Sequence, residues 1–398
     1  MRHPDDFWLN FELGRSQSLG QKGDLAETVS YYRAALALRP DSARVRSDLC
    51  YALHSQGKRQ EAEEEYRAAI RLNPKEGPPH AFLALALEVQ GKLQEAEEEY
   101  RAAIRLNPGY PFHHSNLGSL LYRQRKWHEA VEEYRAAMRI GDRSATLHMR
   151  LGMALHAEGK RQEAATEYGA AISLNPKLAP AHYGLGNLLK DAGRLEGAKQ
   201  EYQQAIGLGN QGAAEELRQC DRLIPLAPRL SAVLRGLDQP ANAEEMLGFA
   251  ELCSLPFERR LRAATWFYSA AFAGDPKIAG DLKACHRYNA ARCAALAGCG
   301  QGKDKDTLDD TEKALRRQAL DWLQADLALW TKQAQGHQPA DRALLQQMLR
   351  HWKEDTDLAG VRGDALARLP EAERGPWKKL WDDVDALLAT VNAPKTKR

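Results

Sequence analysis

Apolar residues recur along this chain at helical spacing, in short runs broken by glycine, Asn-Pro or charged turns. Over residues 145–157, Leu147, Leu151 and Leu155 mark one face of a helix, and Gly159 ends it. A second helix is predicted from about Gln162 to Leu174, where Asn175-Pro176 stops it. Small residues at Gly152, Ala164 and Ala171 let two such helices approach closely, and Tyr168 fills the space behind them. The second helices respect the macrodipole: Glu61, Glu63, Glu64 and Glu65 crowd one N-terminus, while Arg67 and Arg71 lie at its C-terminus. Glu63 and Arg67 stand at i,i+4 and predict an ion pair along the helix.

This unit repeats. Residues 57–74 return almost letter for letter at 91–108, an offset of 34 residues, and again at 125–142, 159–176 and 193–210. An altered copy spans 23–40. Each copy has an upstream Leu-Gly-like step: Leu49-Cys50, Leu83-Ala84, Leu117-Gly118, Leu151-Gly152 and Leu185-Gly186. On these residues the chain resembles the tetratricopeptide-repeat proteins. The resemblance implies an all-α fold, a right-handed superhelical solenoid of helix–turn–helix repeats. Six repeats are expected over residues 7–210 after a short tail at 1–6. The first is stretched by two residues between Gly14 and Gly23, and the fourth has Arg125 in place of the turn glycine. The fourth and sixth lack the closing proline. A capping helix and Pro-rich joint are expected over 211–242, a less regular, degenerate repeat-like helical region over 243–391, and a basic tail over 392–398.

A second resemblance covers nearly the whole sequence. The phrases Phe7-Trp8-Leu9-Asn10-Phe11, Tyr31-Tyr32-Arg33-Ala34-Ala35, Arg287-Tyr288-Asn289-Ala290-Ala291, Ala325-Asp326-Leu327, Asp357-Leu358-Ala359-Gly360-Val361-Arg362 and Leu380-Trp381 are similar to the repeat-bearing C-terminal region of bacterial serine/threonine protein kinases. No Gly-rich strand–loop, His-Arg-Asp or Asp-Phe-Gly motif is present, so that family's catalytic residues have no positions here. The resemblance implies either a stand-alone interaction protein of that lineage or part of a longer reading frame.

Charge narrows the partners. Lys and Arg number 56 against 54 Asp and Glu, a net +2. With both signs interleaved, the chain lacks the basic surface that nucleic acid or an anionic membrane requires. No apolar run reaches the length of a membrane span, and the N-terminus lacks a secretory apolar core, so a soluble, cytoplasmic protein is expected. The six cysteines include no C-x-x-C pair and read as reduced.

Three constellations invite a chemical reading. His80, His114, His148 and His182 recur at one slot of successive first helices. Stacked helices stand roughly 8–10 Å apart, whereas zinc needs ligands within about 2.0–2.3 Å. Packing against the neighbouring helix is therefore expected, and no metal. The loop from Gly298 to Asp304 has glycines and Lys303 but misses the phosphate-loop spacing, and Asp304 stands where Ser or Thr belongs. Asp304, Asp306, Asp309, Asp310 and Glu312 lack a calcium loop's spacing. Cys285, Cys293 and Cys299 read as small buried hydrophobes rather than nucleophiles. The acidic runs 61–65 and 95–99 read as solvated faces. No cofactor and no catalysis are expected.

Function is then sought in the groove lined by the first helices. The resemblance points inward Tyr51; Ala81, Phe82, Leu85 and Glu88; Phe112, Ser115, Asn116, Ser119 and Tyr122; Met149, Arg150 and Met153; and Tyr183 and Asn187. Phe82, Leu85, Phe112, Met149 and Met153 form an apolar run, with Asn116 and Arg150 as polar anchors. The expectation is a non-catalytic protein–protein interaction scaffold that takes a protein or peptide segment in this groove. The alternatives are the substrate-recruiting part of a serine/threonine kinase and the repeat region of a glycosyltransferase. Oligomeric state is not legible.

Overall fold

The computed structural model describes residues 6–19, 24–304, 312–334 and 339–392. The expected tails at 1–5 and 393–398, Gly23, and the acidic residues Asp306, Asp309 and Asp310 lie outside the described residues. Among the described residues every regular element is a helix, and the architecture is an all-α repeat solenoid. Internal contacts divide the chain into two units, residues 1–188 with 207–210 and residues 189–206 with 211–398. The division falls inside the sixth repeat.

In the first unit, helices follow the predicted pairs: α1 (Phe7–Leu19) with α2 (Leu25–Leu38), α3 (Ala43–Ser55) with α4 (Arg59–Leu72), α5 (Gly77–Val89) with α6 (Leu93–Leu106), α7 (Pro111–Arg123) with α8 (Trp127–Ile140), and α9 (Ala145–Ala157) with α10 (Arg161–Leu174). α11 (Ala179–Asp191) runs across the division between the units, and α12 (Leu195–Gly207) lies in the second as far as Ile206. α2, α4, α6 and α8 each also pack on the first helix of the following pair, which is how stacked repeats share one core. Within a repeat the second helix buries two alanines and a tyrosine, as at Ala96, Tyr100 and Ala103. The turn between paired helices needs a left-handed residue, and Gly57, Gly91, Gly159 and Gly193 supply it with φ of 78°, 79°, 88° and 76°. Arg125 holds the same place with φ of 61°. The irregular turn therefore keeps the repeat geometry, at a steric cost.

The acidic runs are partly solvated, with Glu64, Glu95 and Glu98 exposed, but they also carry ion pairs between repeats. Glu61 pairs with Arg33 at 2.5 Å, Glu95 with Arg67 at 3.3 Å, Glu129 with Arg101 at 3.0 Å and Glu163 with Arg135 at 2.6 Å, each time bridging one second helix to the previous one. Glu63 takes Arg67 at 3.0 Å, the predicted i,i+4 pair. Glu97 is buried and takes both Arg101 at 2.9 Å and Lys126 at 2.8 Å. These acids hold successive repeats together.

The second unit is also helical. α13 (Ala213–Leu223) occupies the segment expected as a capping helix, and α14 (Leu230–Leu234) lies in the Pro-rich segment after it. α15 (Ala243–Ser254) and α16 (Leu261–Gly274) pack together, with Ala264, Tyr268 and Ala271 buried on α16. α17 (Pro276–Gly280) is short, and α18 (His286–Gly298) packs along α19 (Glu312–Ala334). α20 (Pro339–Glu354) and α21 (Glu371–Asn392) close the unit. Residues far apart in the chain meet in its interior. Arg287 pairs with Asp326 at 3.1 Å, with both side chains largely buried. The Tyr288 hydroxyl donates to Asp355 at 2.6 Å, and its ring stacks on Trp352. Arg362 donates to the Trp352 and Asp355 carbonyls, and Trp381 Nε1 donates to the Val361 carbonyl at 2.8 Å.

Candidate functional site

The first-helix face of the repeats has a repeating construction. The buried tyrosine of one second helix lies beneath a particular residue on the next first helix. Phe82 occupies that place over Tyr66, with ring centroids 5.8 Å apart and planes 16° from parallel. Asn116, Arg150 and Gly184 are the equivalents in later repeats. At Gly184 a Cβ would meet the Tyr168 ring at 2.5 Å, so this tyrosine has moved into the space that a side chain fills elsewhere.

Against this floor the predicted groove residues separate into three kinds. Tyr51 and Phe112 are exposed at 54% and 40%, and Tyr51 lies edge-on to Phe82 at 6.1 Å. Phe82, Leu85, Tyr122, Met149 and Met153 are half-buried and packed against the repeat core, so only part of each is free for a ligand. Tyr183 and Asn187 are half-buried on α11. Asn116 and Arg150 are the polar members: Arg150 Nη1 donates to Oγ of Ser115, the residue before Asn116 on α7, at 3.2 Å. Asn116 Nδ2 is buried and has no hydrogen-bond partner. Ala81 and Ser115, expected to face inward, are buried in packing. Glu88 is occupied by Arg123 and by the Tyr100 hydroxyl at 3.4 Å.

The histidine series pairs with carboxylates. Nδ1 of His80, His114 and His148 lies 2.6, 2.6 and 2.7 Å from Glu99, Glu133 and Glu167 on the second helix of the same repeat. Arg46 and Glu65 take the same two places one repeat earlier. His182 instead bonds the Pro176 carbonyl at 3.1 Å. Among the described residues no group of three or more His, Cys, Asp or Glu side chains is placed to hold a metal ion. The expected histidine contact with a neighbouring helix is thus a hydrogen bond to a glutamate within the repeat.

The glycine loop is a structural plug. Asp304 is buried and accepts from the backbone amides of Arg262 and Ala263 at 3.3 and 2.9 Å, which caps α16 in the way an external anion would. The thiols are unsuited to attack. Burial pushes Cys220 up to about 11 and Cys293 up to about 12, and it raises Cys285 and Cys299 as well.

One concavity was not legible in the sequence. A cavity of about 440 Å³ in the second unit is lined along one side by Glu216, Gln219 and Arg222 of α13, and along another by His286, Asn289 and Arg292 of α18. Glu251 of α15, Tyr268 of α16 and Asp357 complete it. These residues spread over more than 140 positions in the chain without periodicity. The helical spacing of Asn289, Arg292 and Leu296 on α18 is the signal that was available.

Models of the tetratricopeptide repeat match residues 21–86, 79–110, 115–141, 152–193 and 179–209. No curated protein matches the chain. Among solved structures, the chain is similar to YrrB, described as a TPR protein with an unusual peptide-binding site, at 19% identity over 47% of this chain and 97% of that one, with a TM-score of 0.42. It is similar to the APC/C hetero-tetramer Cut9-Hcn1 at 16% identity over 55% of this chain and 44% of that one, with a TM-score of 0.48. It is also similar to pilF of Pseudomonas aeruginosa at 18% identity over 60% of this chain and 94% of that one, with a TM-score of 0.40.

Proposed function

We propose, from the premise that the chain is a tetratricopeptide-repeat protein, that it is a non-catalytic scaffold whose first-helix face binds a segment of a partner protein. The observation that carries this reading is Asn116. Its amide nitrogen is buried without an acceptor, next to the Arg150–Ser115 hydrogen bond. A buried donor left unmade costs about 1–3 kcal/mol, and a peptide carbonyl laid along the face relieves that cost. Tyr51 and Phe82 offer an aromatic edge on one side of Asn116, and Phe112 offers a second. The partner's apolar side chains would bury against these rings, and its backbone would be registered by Asn116 and Arg150. Two exposed aromatic rings and two polar anchors support roughly micromolar affinity with weak salt dependence.

The test compares the intact chain with Tyr51→Ala, Asn116→Ala and Arg150→Glu variants of unchanged helicity. A partner is captured from cell extract, its binding segment is synthesised, and Kd is measured by fluorescence anisotropy. The reading expects each substitution to weaken binding by about fivefold or more. Equal affinity across all four proteins would place the contact elsewhere.

The second reading is association with a serine/threonine kinase. It is favoured by the convergence of four of the six resembling phrases on one interior, since Tyr288, Asp326 and Trp381 lie far apart in sequence yet build it together. Such convergence is what a common fold produces. Co-purification of a kinase with the chain from its own cells, lost when the C-terminal unit is removed, is the result this reading expects.

A further inference from the structure

We propose that the cavity of the second unit is a second binding site, separate from the repeat groove, and that it takes an uncharged polar peptide segment of a partner in extended form. Two observations select this ligand: the state of the charges around the cavity and the groups left unspent inside it.

Each fixed charge has an oppositely charged partner within the protein, with one carboxylate in excess where Arg292 serves both Asp355 and Asp357. Glu251 accepts from Arg222 Nη2 at 2.6 and 2.9 Å and from Gln219 at 3.2 Å. Glu216 is paired with Lys190, which also donates to Gln219 at 2.9 Å. Across the cavity Arg292 is held by Asp355 at 3.0 Å and by Asp357. Glu215, well exposed, pairs with Arg218. A ligand bearing a single charge would have to break one of these pairs or enter uncompensated, and either is costly in a partly buried site. Neutral ligands meet no such barrier.

The unspent groups are hydrogen-bonding and mixed in sense. Tyr268 is 1% exposed, lines the cavity, and its hydroxyl has no partner. Arg222 Nε is buried without an acceptor. Asn289 accepts from Arg292 through its oxygen at 3.4 Å, which leaves its amide N–H groups free. Burial lowers the His286 pKa, so at neutral pH its ring offers one donor and one acceptor. Donors therefore outnumber acceptors, with both present. A peptide backbone presents one carbonyl and one N–H per residue and is neutral, so it matches this set. Small-molecule sites are mostly apolar, whereas here Leu261, Tyr268, Ala284, Cys293 and Leu296 are outnumbered by charged and polar lining residues. The volume of about 440 Å³ lies within the range of ligand sites.

The experiment uses the full chain and three arrayed hexapeptide libraries: one of Ser, Thr, Asn, Gln and Gly only, one with a single Lys added, and one with a single Glu added. Bound peptides are labelled, and Kd is read by fluorescence anisotropy. The neutral library should yield binders, and introducing either charge into a binder should weaken it about tenfold or more. Tyr268→Phe removes only the hydroxyl and Asn289→Ala only the amide, so both should fold as the parent does by circular dichroism. Each should weaken the neutral binders about three- to thirtyfold, while Phe82→Ser in the repeat groove should leave them unchanged. The proposal is overturned if no neutral hexapeptide binds, if Lys or Glu peptides bind as well, or if Tyr268→Phe and Asn289→Ala change nothing. Loss of binding with Phe82→Ser would also overturn it, because the peptides would then occupy the repeat groove.

Discussion

At the scale of single residues, the repeat tolerates departures that carry a measurable cost. Arg125 adopts the left-handed conformation that four glycines adopt in the equivalent turns, and a side chain there is strained by about 1–2 kcal/mol. Glycine relieves that strain but raises the entropy of the unfolded chain. Arg125→Gly should therefore stabilise the first unit by about 0.5–1 kcal/mol, read from the urea midpoint at constant m-value. Gly91→Ala should do the opposite, because Gly91 has φ of 79° and open space around a would-be Cβ, so backbone strain alone is tested. The Arg125 substitution was visible in the sequence as a missing glycine. That the turn would persist rather than change was not, because the answer depends on whether the packed pairs on either side outweigh one strained residue.

At the scale of helices, the question is which acids bind the stack together. Glu97 is 7% exposed and pairs with two cations, whereas the Glu95–Arg67 pair is about half exposed on both sides. Exposed pairs contribute about 0–1 kcal/mol and are screened by salt. Removing the buried Glu97 leaves two cations without a carboxylate shielded from water, although Arg101 and Lys126 are each more than a third exposed. Glu97→Gln should thus cost about 1–2 kcal/mol and keep most of that cost in 0.5 M salt, while Glu95→Gln should cost a few tenths and lose even that. Denaturant titrations at two salt concentrations would check both. The i,i+4 pairing of Glu63 and Arg67 was readable from spacing alone. The pairing of each acid with the arginine of the previous repeat was not, since it depends on how one second helix lies beside the next. The histidine series shows the same limit. Spacing excluded a shared metal, but only the packed hairpin shows that His80, His114 and His148 each face a glutamate of their own repeat. The groove likewise was legible as a list and not as a surface: Phe82 and Tyr51 were both predicted, but stacking on Tyr66 half-buries Phe82 while Tyr51 stays exposed. The polar cavity of the second unit escaped because its residues come from helices with no common period.

At the scale of the whole molecule, the two units carry buried groups whose protonation acts in opposite directions. In the first unit His113 is 1% exposed, both ring nitrogens lack partners, and burial pushes its pKa down to about 4. The unfolded chain, with an ordinary histidine near 6.5, binds a proton more readily than the folded one between these values. The stability that His113 contributes is present above about pH 6.5 and lost as pH falls toward 4, by up to roughly 3 kcal/mol. In the second unit burial raises Asp326 to about 7, against the lowering effect of Arg287. Here the folded chain holds the proton more tightly. Its contribution is complete below about pH 4 and is lost as pH rises through 7, again by roughly 3–4 kcal/mol at most. Other carboxylates add their own slopes in both units, so the comparison is made with variants. His113→Phe keeps the ring contact with Tyr110, at 4.8 Å in the parent, and removes the titrating group. Its advantage over the parent should grow as pH falls from 6.5 to 4. Asp326→Asn preserves shape and cannot ionise. Whatever constant offset the loss of a charge beside Arg287 brings, its stability relative to the parent should improve by about 3 kcal/mol between pH 4 and pH 8. Calorimetric scans across that range, with each variant altering its own component of the unfolding profile, test both signs at once. A parent and an Asp326→Asn variant that keep a fixed difference at every pH would show that the Arg287–Asp326 pair stays charged throughout.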